Sequence, residues 1–234
     1  FQAEDCIRDH CVTGVQTCAL PIFGVSAWKN ATSKKSAQAN LIPVAIQTYP
    51  LNGGSERRQA MSEFQPSEPT SSLSSSTIQS PFPTLFWLTC PDIARAIAEL
   101  ERRGYVQLFE NELNSEPDLT KRLLRCHKEY AQLRWQSLTE EDRGILTSST
   151  SSSIQRMRNM IEYSGISGSN LTRSPEWQRN QTPIIAKVPP IKCLHAHYAH
   201  YRSTYTDGSM AVHVNPVGEM IHKQLEENFP DLDL

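Results

Sequence analysis

The chain has 234 residues, of which 23 are Lys or Arg and 25 are Asp or Glu, so its formal net charge is −2. A nearly neutral chain lacks the overall positive field that attracts nucleic acids or anionic membranes. No stretch approaches the roughly 20 consecutive apolar residues that a membrane span requires. The sequence therefore predicts neither a nucleic-acid partner nor a membrane protein, and its length allows one domain of ordinary size with tails.

The first segment, residues 1–22, does not read as natural protein sequence. Its C-x4-C and C-x6-C spacings match no common zinc pattern, and they are formed by Cys6, Cys11 and Cys18. After back-translation, QAED-x-IRD and VTGVQTCALPI resemble the two constant parts of a sequencing adapter, with His10 and Cys11 at the sample index. We therefore predict that residues 1–22 are an adapter-derived artefact with no function.

Removal of this segment leaves 22 basic and 22 acidic residues and three cysteines, Cys90, Cys126 and Cys193. An odd number of widely spaced cysteines is typical of a reducing compartment rather than of a secreted disulfide scaffold. We therefore predict an intracellular, cytoplasmic protein. Residues 23–40 contain three lysines and no acid, which also fits the remnant of a transit peptide. In that case the predicted location is an organelle such as the plastid.

Residues 23–79 are predicted to be mostly a disordered tail and linker. From 52 to 80 the chain is rich in Gly, Ser, Glu and Pro, and such a composition buries too little apolar surface to order the chain. One stretch differs, because VAIQTYP at 44–50 contains residues typical of β-structure. We predict a single strand there.

The folded domain is predicted to begin at residue 80. The run SPFPTLFWLTCP is rich in aromatic residues and bracketed by prolines, which predicts a buried strand. Pro91 suits the first turn of a helix that ends before Gly104. The run YVQLF at 105–109 is predicted to be a second short strand.

The clearest predicted helix begins at Pro117, after the capping residue Ser115. One of its faces carries an apolar stripe formed by Leu119, Leu123, Cys126, Tyr130 and Leu133. Cys126 is therefore predicted to be a core residue, and His127 beside the stripe to be exposed. Beyond this helix we predict a Ser-rich insertion at 146–153, a short helix near 154–163, and helical segments within 191–203 and 215–229.

Polar side chains recur along one face of the helix predicted in KCLHAHYAHYRS. On a wheel with about 100° per residue, Cys193, His197 and His200 fall within about 60° of each other. A thiolate and two imidazoles in this arrangement suit zinc. Cys90 lies where a strand turns into a helix, an edge at which sites are commonly built. The predicted metal ligands are therefore Cys90, Cys193, His197 and His200.

The same segment supports a catalytic interpretation. A helix that begins near 191–193 places its positive N-terminal end and Lys192 beside Cys193, which favours a thiolate nucleophile. His195 or His200 is then its acid–base partner. The alternative is structural: the same residues hold the 169–190 loop against the core of a non-catalytic interaction domain. Sequence alone leaves these interpretations open.

Three motifs, PFPTLFWLTCP, KCLHAHYAH and NPVG in this order, resemble the uncharacterised and mainly bacterial family called domain of unknown function 501. The resemblance covers about residues 80–234, and VAIQTYP is similar to the family's opening strand. There the family has Arg-Cys-Pro, whereas this chain has Thr48, Tyr49 and Pro50. The family motifs fall here on Pro83, Thr84, Thr89, Cys90, Pro91, Lys192, Cys193, Leu194, His195, Ala199, His200, Asn215 and Pro216.

The resemblance implies a fold rather than an activity, because no activity is established for the family. The family pattern admits an apolar residue at the position of His197, which favours a site built on Cys193, His195 and His200. We expect one helix-dominated α+β domain with a small antiparallel sheet and a disordered N-terminal region. The expected function is that of an enzyme or a metal-dependent protein, with zinc as the cofactor in the latter case.

Overall fold

The computed structural model of the protein describes residues 22–30, 41–52, 80–169, 190–205 and 214–234. The adapter-derived artefact predicted at 1–22 lies almost wholly outside these ranges. Most of the predicted disordered tail and linker, and most of the 169–190 loop, also lie outside the described residues. The fold is therefore built here from the five ranges alone.

Five strands form two small antiparallel sheets in the described residues. They are β1 (Ile22–Asn30), β2 (Leu41–Thr48), β3 (Leu51–Asn52), β4 (Ser80–Pro81) and β5 (Phe86–Leu88). The larger sheet has the order β1-β2-β5, and β3 pairs with β4. β2 and β5 are also joined outside their ladder, because the Thr89 hydroxyl donates to the Pro43 carbonyl at 3.0 Å.

The described helices follow the second sheet along the chain. They are α1 (Pro91–Arg102), α2 (Tyr105–Ser115), α3 (Pro117–Gln136), α4 (Glu140–Ser148), α5 (Ser152–Tyr163), α6 (Leu194–Thr204) and α7 (Pro216–Asn228), with a 3-10 turn at Ile166–Gly168. Helices with small antiparallel sheets confirm the predicted α+β class. None of the helices in the described ranges combines the length and the apolar character that a membrane crossing requires.

Helix α6 lies at the centre of the core. It contacts β2 and β5 on one side, and α1 and α7 on others. Leu194, Tyr198 and Ala199 on this helix have no exposed surface. Cys126 of α3 is also fully buried, and burial raises the pKa of its thiol to about 12. Its predicted role as a core residue is confirmed.

Two segments differ from the sequence predictions. Residues 22–30 form β1, where a tail was predicted, because they pair with β2 from Ile22 opposite Thr48 to Asn30 opposite Leu41. The run at 105–109 is helical rather than a strand. Phe109 and Leu113 are buried on one face of α2 at a spacing of four, a period that a five-residue window is too short to show.

A Gly218→Ala substitution is expected to destabilise the protein by about 1–3 kcal/mol, because a β-carbon there overpacks the contact between α6 and α7. The added β-carbon would lie 2.2 Å from Cβ of Tyr201, and that atom cannot move without the α6 backbone. Gly144 in α4 is the matched control, since its β-carbon would meet nothing within 4 Å. Gly144→Ala is expected to add about 0.5–1 kcal/mol of stability. Urea denaturation measures both, and equal effects would contradict the packing argument.

Candidate metal centre

The candidate site lies at the start of α6, where the backbone changes from extended to helical. Cys193 precedes the helix with φ −157° and ψ 119°, and its side chain caps no backbone amide. Instead, Oε1 of Glu101 in α1 accepts the N–H of Leu194 at 2.7 Å. A carboxylate from another helix thus occupies the positive N-terminal end of α6, where negative charge is stabilised.

Glu101, Cys193 and His195 each direct one metal-ligand atom to the same point. Nδ1 of His195 lies 3.3 Å from Oε1 of Glu101 and 3.9 Å from Sγ of Cys193. The three ligand atoms all lie within 4.8 Å of one another, and no other group of three such residues does so in the described part of the chain. The side chains of His195 and Glu101 are 25% and 30% exposed, so the site is open to solvent.

Burial and mutual contact together set the charges of this group. Burial alone lowers the pKa of His195, but its hydrogen bonds to Cys193 and Glu101 outweigh burial and raise that pKa to about 10. Burial alone raises the pKa of Glu101, but the His195 ring and the α6 amides outweigh it, so that pKa falls below its ordinary value. The metal-free site therefore holds an imidazolium–carboxylate pair at neutral pH.

The second ring nitrogen of His195 is held as well. Nε2 donates to the carbonyl oxygen of Ala94, at 3.0 Å, which turns Nδ1 toward Glu101 and Cys193. Histidines that bind metals usually donate their other N–H to a carbonyl or a carboxylate in this way. Donor atoms around one tetrahedral zinc lie roughly 3.3–4 Å apart, given bonds of about 2.0–2.3 Å. The distances of 3.3 and 3.9 Å fit that geometry.

His197 and His200 point away from this site and bond to Asn215. Oδ1 of Asn215 caps α7 by accepting the N–H groups of Val217 and Gly218. Its amide nitrogen therefore faces the two rings, 3.3 Å from Nδ1 of His197 and 3.2 Å from Nδ1 of His200. Because an amide nitrogen only donates, both imidazoles present an unprotonated Nδ1. Burial lowers the pKa of His197 to about 4 and that of His200 to about 3.

The predicted exposure of His127 is wrong. The residue is 1% exposed, and its Nδ1 accepts the N–H of Ile166 at 3.0 Å. The turn that follows α5 folds over α3 at this point, and a β-carbon on Gly165 would lie 2.5 Å from that same nitrogen. A wheel of α3 shows one apolar stripe, but it does not show that a distant turn covers the flank of that stripe.

The four predicted metal ligands are not brought together. Cys90 is 3% exposed and lies in the apolar core, while His197 and His200 form the Asn215 network. Cys193 is the one member of the set that lies at the candidate site. The helical wheel placed Cys193 on the same face as His197 and His200, which assumes that Cys193 is helical. Its backbone is extended, so its side chain does not lie on that face of α6.

The predicted catalytic residues are partly brought together. Cys193 and His195 are in contact, whereas His200 lies in the core. Lys192 donates from Nζ to the Gly168 carbonyl at 3.0 Å. Successive side chains of an extended segment point to opposite sides, which separates Lys192 from the Cys193 thiol. A catalytic role for these residues stays a prediction.

Glu101 is not among the site residues predicted from the sequence, although α1 carries a signal for it. Ile93 and Ile97 are fully buried, and Glu101 continues their row at the same spacing of four. Residues at this spacing lie on one helix face, so a carboxylate there lies at the end of a core-facing row. A half-buried carboxylate needs hydrogen-bond donors, and α6 supplies the N–H of Leu194 and the ring of His195.

One comparison with known protein families gives a match. The family described as "Protein of unknown function (DUF501)" matches residues 36–223. The matched range includes the strand β2. It begins 44 residues before residue 80, the start of the main resemblance that the sequence motifs indicate. No curated protein and no solved structure matches the chain.

Proposed function

The chain belongs to the DUF501 family of proteins of unknown function, and from that premise we propose a zinc-dependent enzyme whose metal is bound by Glu101, Cys193 and His195. The convergence of these three ligand atoms within 4.8 Å carries the proposal. Thiolate, imidazole and carboxylate together are a donor set that suits zinc. The bond from His195 to the Ala94 carbonyl supports it, because that bond orients Nδ1 for a metal.

The number of ligands favours catalysis over a purely structural role. Structural zinc sites are closed by four protein ligands, whereas catalytic sites have three and leave one position for water. In the described ranges no fourth Cys, His, Asp or Glu joins the three residues. Zinc lowers the pKa of a bound water to about 7, which supplies hydroxide at neutral pH. The reaction class that we propose is therefore hydrolysis of an electrophilic carbonyl or phosphoryl group.

A second candidate function has its own supporting observation. Glu101 accepts the N–H of Leu194 at 2.7 Å, so its carboxylate also serves as a helix cap. The His197, His200 and Asn215 network is buried and joins α6 to α7. In this interpretation the protein is a non-catalytic interaction domain, and all of these polar residues stabilise the fold.

Metal analysis after dialysis against zinc is expected to give one zinc per chain. Cys193→Ala and His195→Ala are each expected to weaken zinc binding by at least about 100-fold. Mutation of residues that only hydrogen-bond to metal ligands already lowers metal affinity about 10–100-fold, and loss of a ligand itself has a larger effect. Cys90→Ala is the control, because the Cys90 thiol lies in the core and is not one of the three converging ligands. A wild-type protein without zinc, or a Cys90→Ala variant that loses zinc like Cys193→Ala, would contradict the proposal.

A Glu101→Gln variant separates the two candidate functions. Glutamine keeps an oxygen that accepts the Leu194 N–H, so the cap is retained, but the charge that faces His195 is lost and stability is expected to fall by about 1–3 kcal/mol. The neutral amide is a poor ligand for zinc, so binding is expected to weaken by at least about 100-fold. Titration with zinc and urea denaturation measure the two effects. Unchanged zinc binding in this variant would show that Glu101 is a helix cap and not a ligand, which is its role in the interaction-domain interpretation.

The proposed location is the cytoplasm. The three described cysteines, Cys90, Cys126 and Cys193, are reduced thiols. A reducing compartment keeps thiols in that form, and a zinc site that uses Cys193 requires it. Fluorescence microscopy of the tagged chain tests this location against the plastid.

A further inference from the structure

A second carboxylate holds the segment that leads into the candidate site. Oε1 of Glu110 in α2 accepts the N–H of Ile191 at 2.8 Å. Ile191 is 3% exposed and packs in the apolar core, so an amide left without an acceptor there is costly. The preceding residue, Pro190, has no N–H of its own. Glu110 therefore satisfies the first backbone donor on the path to Cys193.

We infer that Glu110 is a positioning residue for the metal centre, an inference that rests on the zinc site proposed above. Glu110 holds the N–H of Ile191, and Glu101 holds the N–H of Leu194. The two hydrogen bonds fix the backbone on both sides of Cys193. They define where its sulfur lies relative to His195.

The two carboxylates belong to two consecutive helices that contact each other. α1 and α2 are joined at Gly104, which adopts the left-handed φ of 85° that glycine accepts readily. One side chain from each helix therefore accepts a hydrogen bond from the backbone at an end of the extended segment, Glu110 from Ile191 and Glu101 from Leu194. Apart from the burial of Ile191, the other hydrogen bonds of this segment are weaker, since the Ser167 hydroxyl lies 3.5 Å from the Cys193 carbonyl and the Lys192 side chain is exposed.

The inference is tested with variants at Glu110 and a control on the same helix. Glu110→Ala leaves the Ile191 amide without its acceptor and is expected to weaken Co²⁺ binding, followed by its absorption spectrum, about 10–100-fold. Glu110→Gln keeps an acceptor oxygen and is expected to stay within about threefold of wild type. Glu112→Ala changes an exposed residue of α2 and is expected to have no effect.

A second readout needs no metal and tests the position of the thiol directly. In metal-free protein, the rate at which iodoacetamide alkylates Cys193 is expected to change at least about fivefold in Glu110→Ala but not in the other two variants. Wild-type protein that binds no Co²⁺ would overturn the zinc site, while the alkylation rates still decide the role of Glu110. Equal alkylation rates in Glu110→Ala and Glu112→Ala would overturn the inference. If Glu110→Ala does not fold, Glu110→Asp, which withdraws the carboxylate by one methylene, replaces it with the same criteria.

Discussion

An Arg134→Met variant is expected to lose about 3–5 kcal/mol of unfolding free energy, the range measured when one side of a buried charged contact is removed. Arg134 lies in α3 and has no exposed surface. Its guanidinium donates to the carbonyl oxygens of Ile161 at 2.7 Å and Pro83 at 2.9 Å, and also to that of Ser164. Burial lowers the pKa of Arg134 to about 10, so the group is still charged at neutral pH.

The large effect follows from what the carbonyls would lose. Ile161 lies in the last turn of α5, where carbonyls have no partner within the helix. Arg134 therefore caps α5 and ties it both to α3 and to the segment before β5. Methionine fills a similar space but leaves the oxygens of Ile161 and Ser164 buried without this donor, at roughly 1–3 kcal/mol each.

Urea denaturation of Arg134→Met and of an exposed control measures the effect. Lys121→Met lies on the same helix, and its ion pair with Asp118 is largely exposed. That control is expected to change stability by less than about 0.5 kcal/mol. A loss below about 1 kcal/mol in Arg134→Met would show that the carbonyls find other donors.

Stability is expected to fall by at least about 3 kcal/mol between pH 7.5 and pH 5. Burial holds the pKa of His197 at about 4 and that of His200 at about 3, both below the ordinary value of 6.5, and it also holds the pKa of His127 well below that value. The unfolded chain therefore binds protons first, and stability that is complete above pH 6.5 is lost as the pH falls. At about 1.4 kcal/mol per pH unit for each group, His197 and His200 together cost about 4 kcal/mol at pH 5, and His127 adds to this loss.

His195 opposes this loss in part. Its pKa is raised to about 10, so its contribution is complete below pH 6.5 and declines as the pH rises toward 10. Between pH 7.5 and 6.5 it adds back about 1 kcal/mol. The pKa of Glu101 is lowered, so its own contribution is present above its ordinary value of 4.5 and changes little down to pH 5.

A His200→Gln variant isolates the buried group. Glutamine cannot take up a proton, so the loss between pH 7.5 and pH 5 is expected to shrink by about 2 kcal/mol. Guanidinium denaturation at the two pH values gives both differences. The same pH dependence in the variant and in the wild type would show that His200 does not titrate as its burial requires.

Local sequence patterns predicted the parts of the fold that depend on neighbours along the chain. The helix after Pro91, the helix after Pro117 and the strand near 44–50 all follow from capping residues and periodicity. The strand β1 could not be predicted in the same way. It exists because residues 22–30 pair with β2. IFGVSAWKN does contain four residues typical of strands, but the three lysines and the lack of acidic residues across 23–40 indicated a tail, and neither feature reveals the pairing partner.

At the candidate site, too, residues that are close along the chain could be predicted, and a residue brought in by packing could not. Cys193 and His195 are two residues apart, and the segment that contains them stood out from its composition alone. Glu101 comes from a helix that precedes them by more than ninety residues, and only packing of α1 against α6 brings it to them. The extended backbone of Cys193, which removes it from the His197 and His200 stripe, also depends on that packing.

X-ray absorption at the zinc edge of the zinc-loaded protein is the most direct measurement of the proposed centre. We expect one sulfur at about 2.3 Å and nitrogen or oxygen ligands at about 2.0–2.2 Å, as Cys193, His195 and Glu101 with one water require. The sulfur contribution is expected to disappear in Cys193→Ser. A zinc shell without sulfur, or one with two or more sulfurs, would contradict the site.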